Sequence, residues 1–403
     1  MDILVNIEID QIIPFLYAIA IFSLFLVAVK LAINSLVEKR GHYQHCLYEV
    51  KLPKEKPGDT QKEFTKEMMR EEIYRSEMVL ASIGGLRAQR GFKAWLLGRN
   101  DHFSFEIVAN RKKISFFIVA PLQMGQYLEQ QVHAYYPEAV IEVVPDYNIF
   151  HAQSTVVAGY MKTRRHFIFP IKTYDKMEAD PLNSVINVMS KLDEREGLAI
   201  QYTVRSARAG WHLRSAEIPR LVRQGKTVRE AIAQGVSSQF WSGLLDLVQA
   251  AKPKGPEEAR KKPYDQYPRN TAMEEEMLKG IEEKNAKAGL DVNIRVIVSS
   301  ADKGRAHLYL QNIASAFSQY NYYEYGNSFR NKVSYKRQNK LIHDFIYRRY
   351  DPGITFLLNT QELASLFHFP LKITETPNIA WLTARHAPAP SQIPSEGIII
   401  GRN

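Results

Sequence analysis

Cysteine is almost missing from this chain: Cys46 is the only one among 403 residues. That excludes an internal disulfide framework and a four-cysteine zinc site, and fits a reducing compartment. Acidic residues are in deficit, 43 against 53 Lys plus Arg, which leaves a formal charge of +10. A surplus of that size suits an anionic partner, nucleic acid or an inner-leaflet surface, as well as an ordinary solvated surface. A complete P-loop is missing too. "RQGKTV" holds Gly225-Lys226-Thr227, but the glycine needed five positions before the Gly-Lys pair is replaced by Arg220, so no backbone cradle for phosphate forms. "SIGGLRAQRG" has no strand before it and no dinucleotide spacing after it. His42, His45 and Cys46 sit close enough to hold zinc, yet no second cluster completes the site. Glu106, Glu142 and Asp146 have no persuasive spacing as paired carboxylates, and no Ser/His/Asp set emerges. "KKISFFIVA" lacks the Lys/Arg-Gly-aromatic-Gly start of an RNA-recognition strand. The expectation is a chain with no catalytic residues, no metal and no cofactor.

What is present begins with a long apolar run. "IIPFLYAIAIFSLFLVAV" covers Ile12 to Val29 without a charge, and the run extends to Ile33. About 18 to 20 apolar residues suffice for a transmembrane helix. Asp2, Glu8 and Asp10 precede the run, while Lys30, Lys39 and Arg40 follow it. By the positive-inside rule, the expectation is a single-pass protein of the cytoplasmic membrane, with residues 1–11 outside, a span over 12–33 in the lipid bilayer and a cytoplasmic body.

The body alternates strand and helix patterns. Leu47 to Leu52 reads as a strand and Gln61 to Ala81 as a helix. Phe103, Phe105 and Ile107 face Ile114, Phe116 and Ile118 in a hairpin; Leu122 to Tyr135 is a helix and Ala139 to Pro145 a strand. The order repeats: "RRHFIFPI" as a strand, a helix opened by Asp180 and Pro181, "GLAIQYTVR" and "DVNIRVIVSS" as strands, a helix over Lys303 to Phe317, and a last strand near Tyr322 to Tyr325. The fold class expected is α+β: a transmembrane helix, then two ferredoxin-like βαββαβ modules over 46–150 and 160–330. The second carries a helical insertion over 207–288, including an amphipathic helix in "SSQFWSGLLDLVQAA". A docking segment follows over 331–370, then a connector over 371–403. In the insertion and just before it, Arg205, Arg208, Arg214, Arg220 and Arg223 are the candidates for contacting an anion, DNA phosphate among them.

In "LLNTQELASLFHFP", Asn359 can cap a helix with Glu362 reciprocating from its third position. Leu363, Leu366 and Phe367 make one apolar stripe, and Pro370 ends the helix. His368, between Phe367 and Phe369, reads as a packed, hydrogen-bonded residue rather than a base. The connector after it is punctuated by prolines. This stretch, with "SFEIVANRKKISFFIVAPLQMGQYLEQQVHAYYPEAVIEVVPDYNIF" and "FIFPIKTYDKMEADPLNSVINVMSKLDE", resembles the membrane-proximal half of HerA-like DNA-translocating ATPases, relatives of the conjugative type IV secretion ATPases of bacteria. The resemblance implies a ring-forming platform joined to a RecA-like ATPase motor that binds ATP. The sequence stops at Asn403, before any P-loop, so that activity is not carried over, and the chain is expected to be the truncated, motor-less half of such a protein. The partners expected are a motor in cis or in trans, further copies of the chain, and DNA. The alternative expectation is a stand-alone membrane-tethered nucleic-acid-binding or scaffold protein.

Overall fold

The structure, a computed structural model of the chain, describes residues 9–40, 44–54, 65–96, 98–233, 271–323, 326–333, 335–376 and 378–382. The first helix, α1, spans Ile9–Arg40. Its Lys30 places the ammonium 4.6 Å from the centre of the Trp95 ring, which sits on the short helix α3 (Phe92–Leu96). Among the described residues no helix is long and apolar enough to cross a membrane. The expected transmembrane helix over 12–33, and the single-pass localisation drawn from it, are corrected accordingly.

The body is α+β, as its alternating patterns imply. Among the described residues its nine strands are β1 His45–Lys51, β2 Phe103–Asn110, β3 Lys113–Pro121, β4 Val140–Val143, β5 Thr155–Thr163, β6 Gly197–Ser206, β7 Gly289–Ser300, β8 Phe329–Val333 and β9 Phe356–Asn359. They form one sheet in the order β4-β1-β3-β2-β6-β7-β5-β8, with β9 added on β7, and every pairing is antiparallel. The expectation of two separate ferredoxin-like modules is corrected by the seam between β2 and β6. Phe103 to Asn110 pair with Val204 to Gly197 along the full length of β2, so both halves share one sheet. The physical reason is edge satisfaction. An open β2 or β6 would expose a row of unpaired amides beside strands whose side chains are buried on both faces.

One face of the sheet is covered by α2 (Lys66–Gly84), α4 (Gly125–Tyr135), α5 (Leu182–Met189), α8 (Lys303–Ala316) and α10 (Thr360–Leu366). Phe105, Ile107, Phe116 and Ile118 point into this main core. The opposite face buries Val108, Phe117, Val119 and Tyr160 against α9 (Gln338–Ile346) and Ile149. Phe116 and Phe117, adjacent in sequence, are therefore both buried, on opposite faces. The inserted α6 (Gly210–Arg223) and α7 (Ala272–Asn285) make a third cluster with Ile168 and Phe169. The amphipathic helix expected from "SSQFWSGLLDLVQAA" lies outside the described residues.

Three local expectations shift. "RRHFIFPI" is not a strand; β5 lies ahead of it, and the "FIF" run is apolar because it packs under the inserted arm. The strand expected near Tyr322 to Tyr325 lies further along, as β8. β9 leads straight into the helix that Asn359 caps, where only a helix was expected.

Candidate functional site

The segment "LLNTQELASLFHFP" is anchored by strand pairing, a capping box and a buried ion pair. β9 pairs with β7 from Gly289↔Asn359 to Val292↔Phe356. Asn359 then caps α10 through its side chain to the Glu362 amide at 2.8 Å, and the Glu362 carboxylate accepts the Asn359 amide at 2.9 Å. Glu362 does more than close that box. Its Oε1 accepts the Ile171 amide at 2.9 Å, and its Oε2 lies 2.9 Å from Lys284 Nζ on α7. Both members of this ion pair are buried. Burial pulls the Lys284 ammonium below the usual lysine range, and Glu362 opposes that pull.

Leu363, Leu366, Phe367 and Phe369 are buried in the main core. Phe367 meets Phe105 at 5.1 Å and Tyr202 at 5.7 Å, and Phe369 meets Tyr136 edge-on at 5.2 Å. His368 is fully buried. Its Nδ1 lies 2.9 Å from the Ala364 carbonyl and its Nε2 2.9 Å from Asp180 Oδ1. A carbonyl only accepts, so Nδ1 carries a hydrogen, and the second nitrogen is held by the carboxylate that also receives the Leu182 amide. The ring is a clasp between α10 and α5 with no room for a substrate.

The five arginines are not gathered into one patch. Arg205, on β6, pairs with Asp291 at 3.4 Å and lies over the Tyr350 ring at 3.7 Å. Arg220 pairs with Glu217 at 3.0 Å, and Arg223 reaches Glu282 on α7 at 2.7 Å. Arg208 and Arg214 are exposed. Arg220 and Arg223 are thus spent on the arm's own carboxylates, the latter holding α6 to α7.

Sequence reasoning missed a buried charged cluster. Arg348 follows α9 with φ at 50°, the left-handed cap position that glycine usually takes. Its guanidinium is buried, bonded to Glu106 Oε1 at 3.1 Å and to Asp146 Oδ1 at 2.6 Å. Burial works against the charge on Arg348, but Glu106 and Asp146 prevail and hold its pKa above the usual arginine value. Glu106 also accepts from Ser104 at 2.8 Å, Gln201 at 2.9 Å and Tyr147 at 2.7 Å. Register puts Glu106, Gln201 and Arg295 side by side on three consecutive strands, and Arg295 donates to Gln201 at 2.8 Å. The only hint in the sequence was the pair Glu106 and Asp146; nothing pointed to their cation, 242 residues from Glu106. Glu142, the third carboxylate considered, pairs instead with Lys51 at 2.6 Å.

A carboxylate with no exposure and every acceptor position filled cannot take a proton from a substrate. The cluster is a polar layer that orders the sheet face. The cavity of about 620 Å³ elsewhere, lined by residues including Leu86, Asp101, Phe103 and Met124, offers Asp101, whose carboxylate is already held by Arg99 at 2.8 Å and by the Gln89 amide at 2.9 Å. His42 lies outside the described residues, and among those described no group of three His, Cys, Asp or Glu could hold a metal ion.

His102 borders the polar layer, its Nε2 2.9 Å from the Arg348 carbonyl. Burial drives its pKa down from 6.5 to about 4. The folded protein thus protonates this ring later than the unfolded chain as pH falls. Its contribution is complete above pH 6.5 and is lost towards pH 4, about 3 kcal/mol in all. Urea unfolding at both ends of that window should show His102→Asn losing about that much less than wild type on acidification.

The sequence model of one protein family, described as a domain of unknown function (DUF8128), matches residues 71–382, and the chain belongs to that family. No curated protein matches it.

Proposed function

We propose that this DUF8128 chain is a non-catalytic platform for a HerA-like, type IV secretion-type DNA-translocating ATPase: it assembles with copies of itself and fixes the position of a motor supplied in cis or in trans. One observation carries the reading. From Phe356 to Leu371 the backbone is paired as a strand, capped, ion-paired and buried almost without interruption. After that, Ile379 forms a bridge with Ile114, and Leu382 one with Pro53. Whatever attaches there is oriented by the sheet itself. A surface clasp would be enough to hold a tail; burial this deep suits a part that must not turn relative to its base.

The test uses the full chain. A phosphate-release assay with ATP is expected to read background for the chain alone. Native mass spectrometry with a HerA-like motor from the same genome is expected to give a stable equimolar assembly containing several copies of each. A chain that stays monomeric and retains no such motor at micromolar concentration would overturn the platform reading.

A further inference from the structure

The chain's positive surplus has a definite address, and it is not the arginine-rich arm. Segment 159–172 contains four Lys or Arg residues and no Asp or Glu, and segment 326–343 contains five and none. These two segments meet as β5 and β8. The register sets Lys162 directly opposite Arg330 and Tyr160 opposite Lys332, so Lys162, Arg330 and Lys332 share one face. Tyr160 packs with Leu341 and Phe345 of α9, which identifies that face as the α9 side. Arg164, whose amide donates to the Ser328 carbonyl at 2.9 Å, follows directly on β5. Lys336 lies in the turn Tyr335–Arg337 that leads into α9.

Like charges directly opposite on paired strands destabilise a sheet. Elsewhere in this sheet such groups are matched: Lys51 and Lys113 both reach Glu49, each at 3.3 Å. Among the described residues, no carboxylate lies within ion-pair distance of Lys162, Arg164, Arg330, Lys332 or Lys336. Charge on an edge strand guards against edge-to-edge association, which accounts for β8. It does not account for Lys162, because β5 is an inner strand between β7 and β8.

We propose that the row Lys162, Arg330 and Lys332, continued by Arg164 and Lys336, is a contact site for the sugar–phosphate backbone of nucleic acid. Alternate residues of a strand lie about 6.8 Å apart, close to the interval between successive phosphates of an extended polynucleotide. A lipid surface would be met by inserted apolar or aromatic side chains, whereas the three residues of this row are all charged. The site stands apart from the platform reading and is testable with no motor present.

Fluorescence anisotropy of the full chain with labelled oligonucleotides of about 30 residues, single-stranded in one arm and duplex in the other, separates the two forms of the ligand. Between about 50 and 200 mM salt, wild-type affinity for the single strand should fall roughly 100-fold, and that of the Lys162→Ala, Arg330→Ala, Lys332→Ala triple variant only about 7-fold. Arg220→Ala with Arg223→Ala should bind as wild type does. Arg330→Lys with Lys332→Arg keeps the charge and should restore binding, which separates charge from folding should the triple variant melt poorly. The proposal is overturned by any of four results. These are no binding of either oligonucleotide at low salt, an unchanged salt slope in the triple variant, loss of binding in the Arg220/Arg223 variant alone, or binding confined to phosphatidylserine vesicles.

Discussion

Replacing Arg348 with methionine should cost about 3–5 kcal/mol, a third or more of a typical domain's stability, measured by urea or thermal unfolding. The guanidinium is the only described cation bonded to Glu106, which has no exposure at all. Without it a charge stays buried among dipoles that cannot neutralise it. Lysine should rescue little, because a point ammonium cannot span Glu106 and Asp146 as the fork does. Pairing Arg348→Met with Glu106→Gln should recover most of the loss, since the uncompensated charge goes with its partner. Arg348→Gly divides the effect differently. Its backbone suits a φ of 50° and should regain about 1 kcal/mol relative to methionine. If methionine at this position left the unfolding midpoint unmoved, the polar layer would not be part of what holds the sheet together.

Glu362→Ala should be nearly as damaging, about 3–5 kcal/mol, and its damage should be local as well as global. The substitution removes the partner of the buried Lys284, the acceptor for the Ile171 amide and half of the capping box at Asn359. Glu362→Gln retains an acceptor for the cap and should cost about half as much. Lys284→Met should be milder than Glu362→Ala, because the remaining carboxylate keeps two backbone N–H donors. Hydrogen exchange separates local from global loss. Amides of Leu358 and Leu363 should lose protection in Glu362→Ala before those of β6 do. Uniform loss across the sheet would mean that the segment is not a distinct anchor.

These two clusters mark where sequence reading succeeded and where it stopped. The capping box at Asn359 and Glu362 was legible because both partners lie within one helical turn, where spacing alone dictates geometry. The hairpin faces carried by Phe105 and Phe116 were legible for a similar reason, since alternation encodes which side is buried. Arg348 was invisible because its partners sit on a distant strand and a distant loop. The strand at 155–163 lost out to the apolar "FIF" run just after it, whose burial serves the inserted arm. β8, reading Phe-Arg-Asn-Lys-Val, sent no apolar signal because it is an edge. The arginine-rich arm looked like a free basic surface because Glu282, which neutralises Arg223, belongs to a helix on the far side of the insertion. The seam between β2 and β6 could not be read at all. Strand pairing between two halves leaves no trace in either half's own alternation.

The position of β9 has a mechanical consequence. It runs alongside the interior strand β7, which β6 grips from Ser299 down to Leu290 and β5 grips from Ser300 to Ile294. A pull along the chain leaving α10 would act lengthwise on those hydrogen bonds, straining them together rather than opening them one by one. The attachment would therefore yield abruptly, near the force that disrupts the middle of the sheet, instead of peeling away at a free margin.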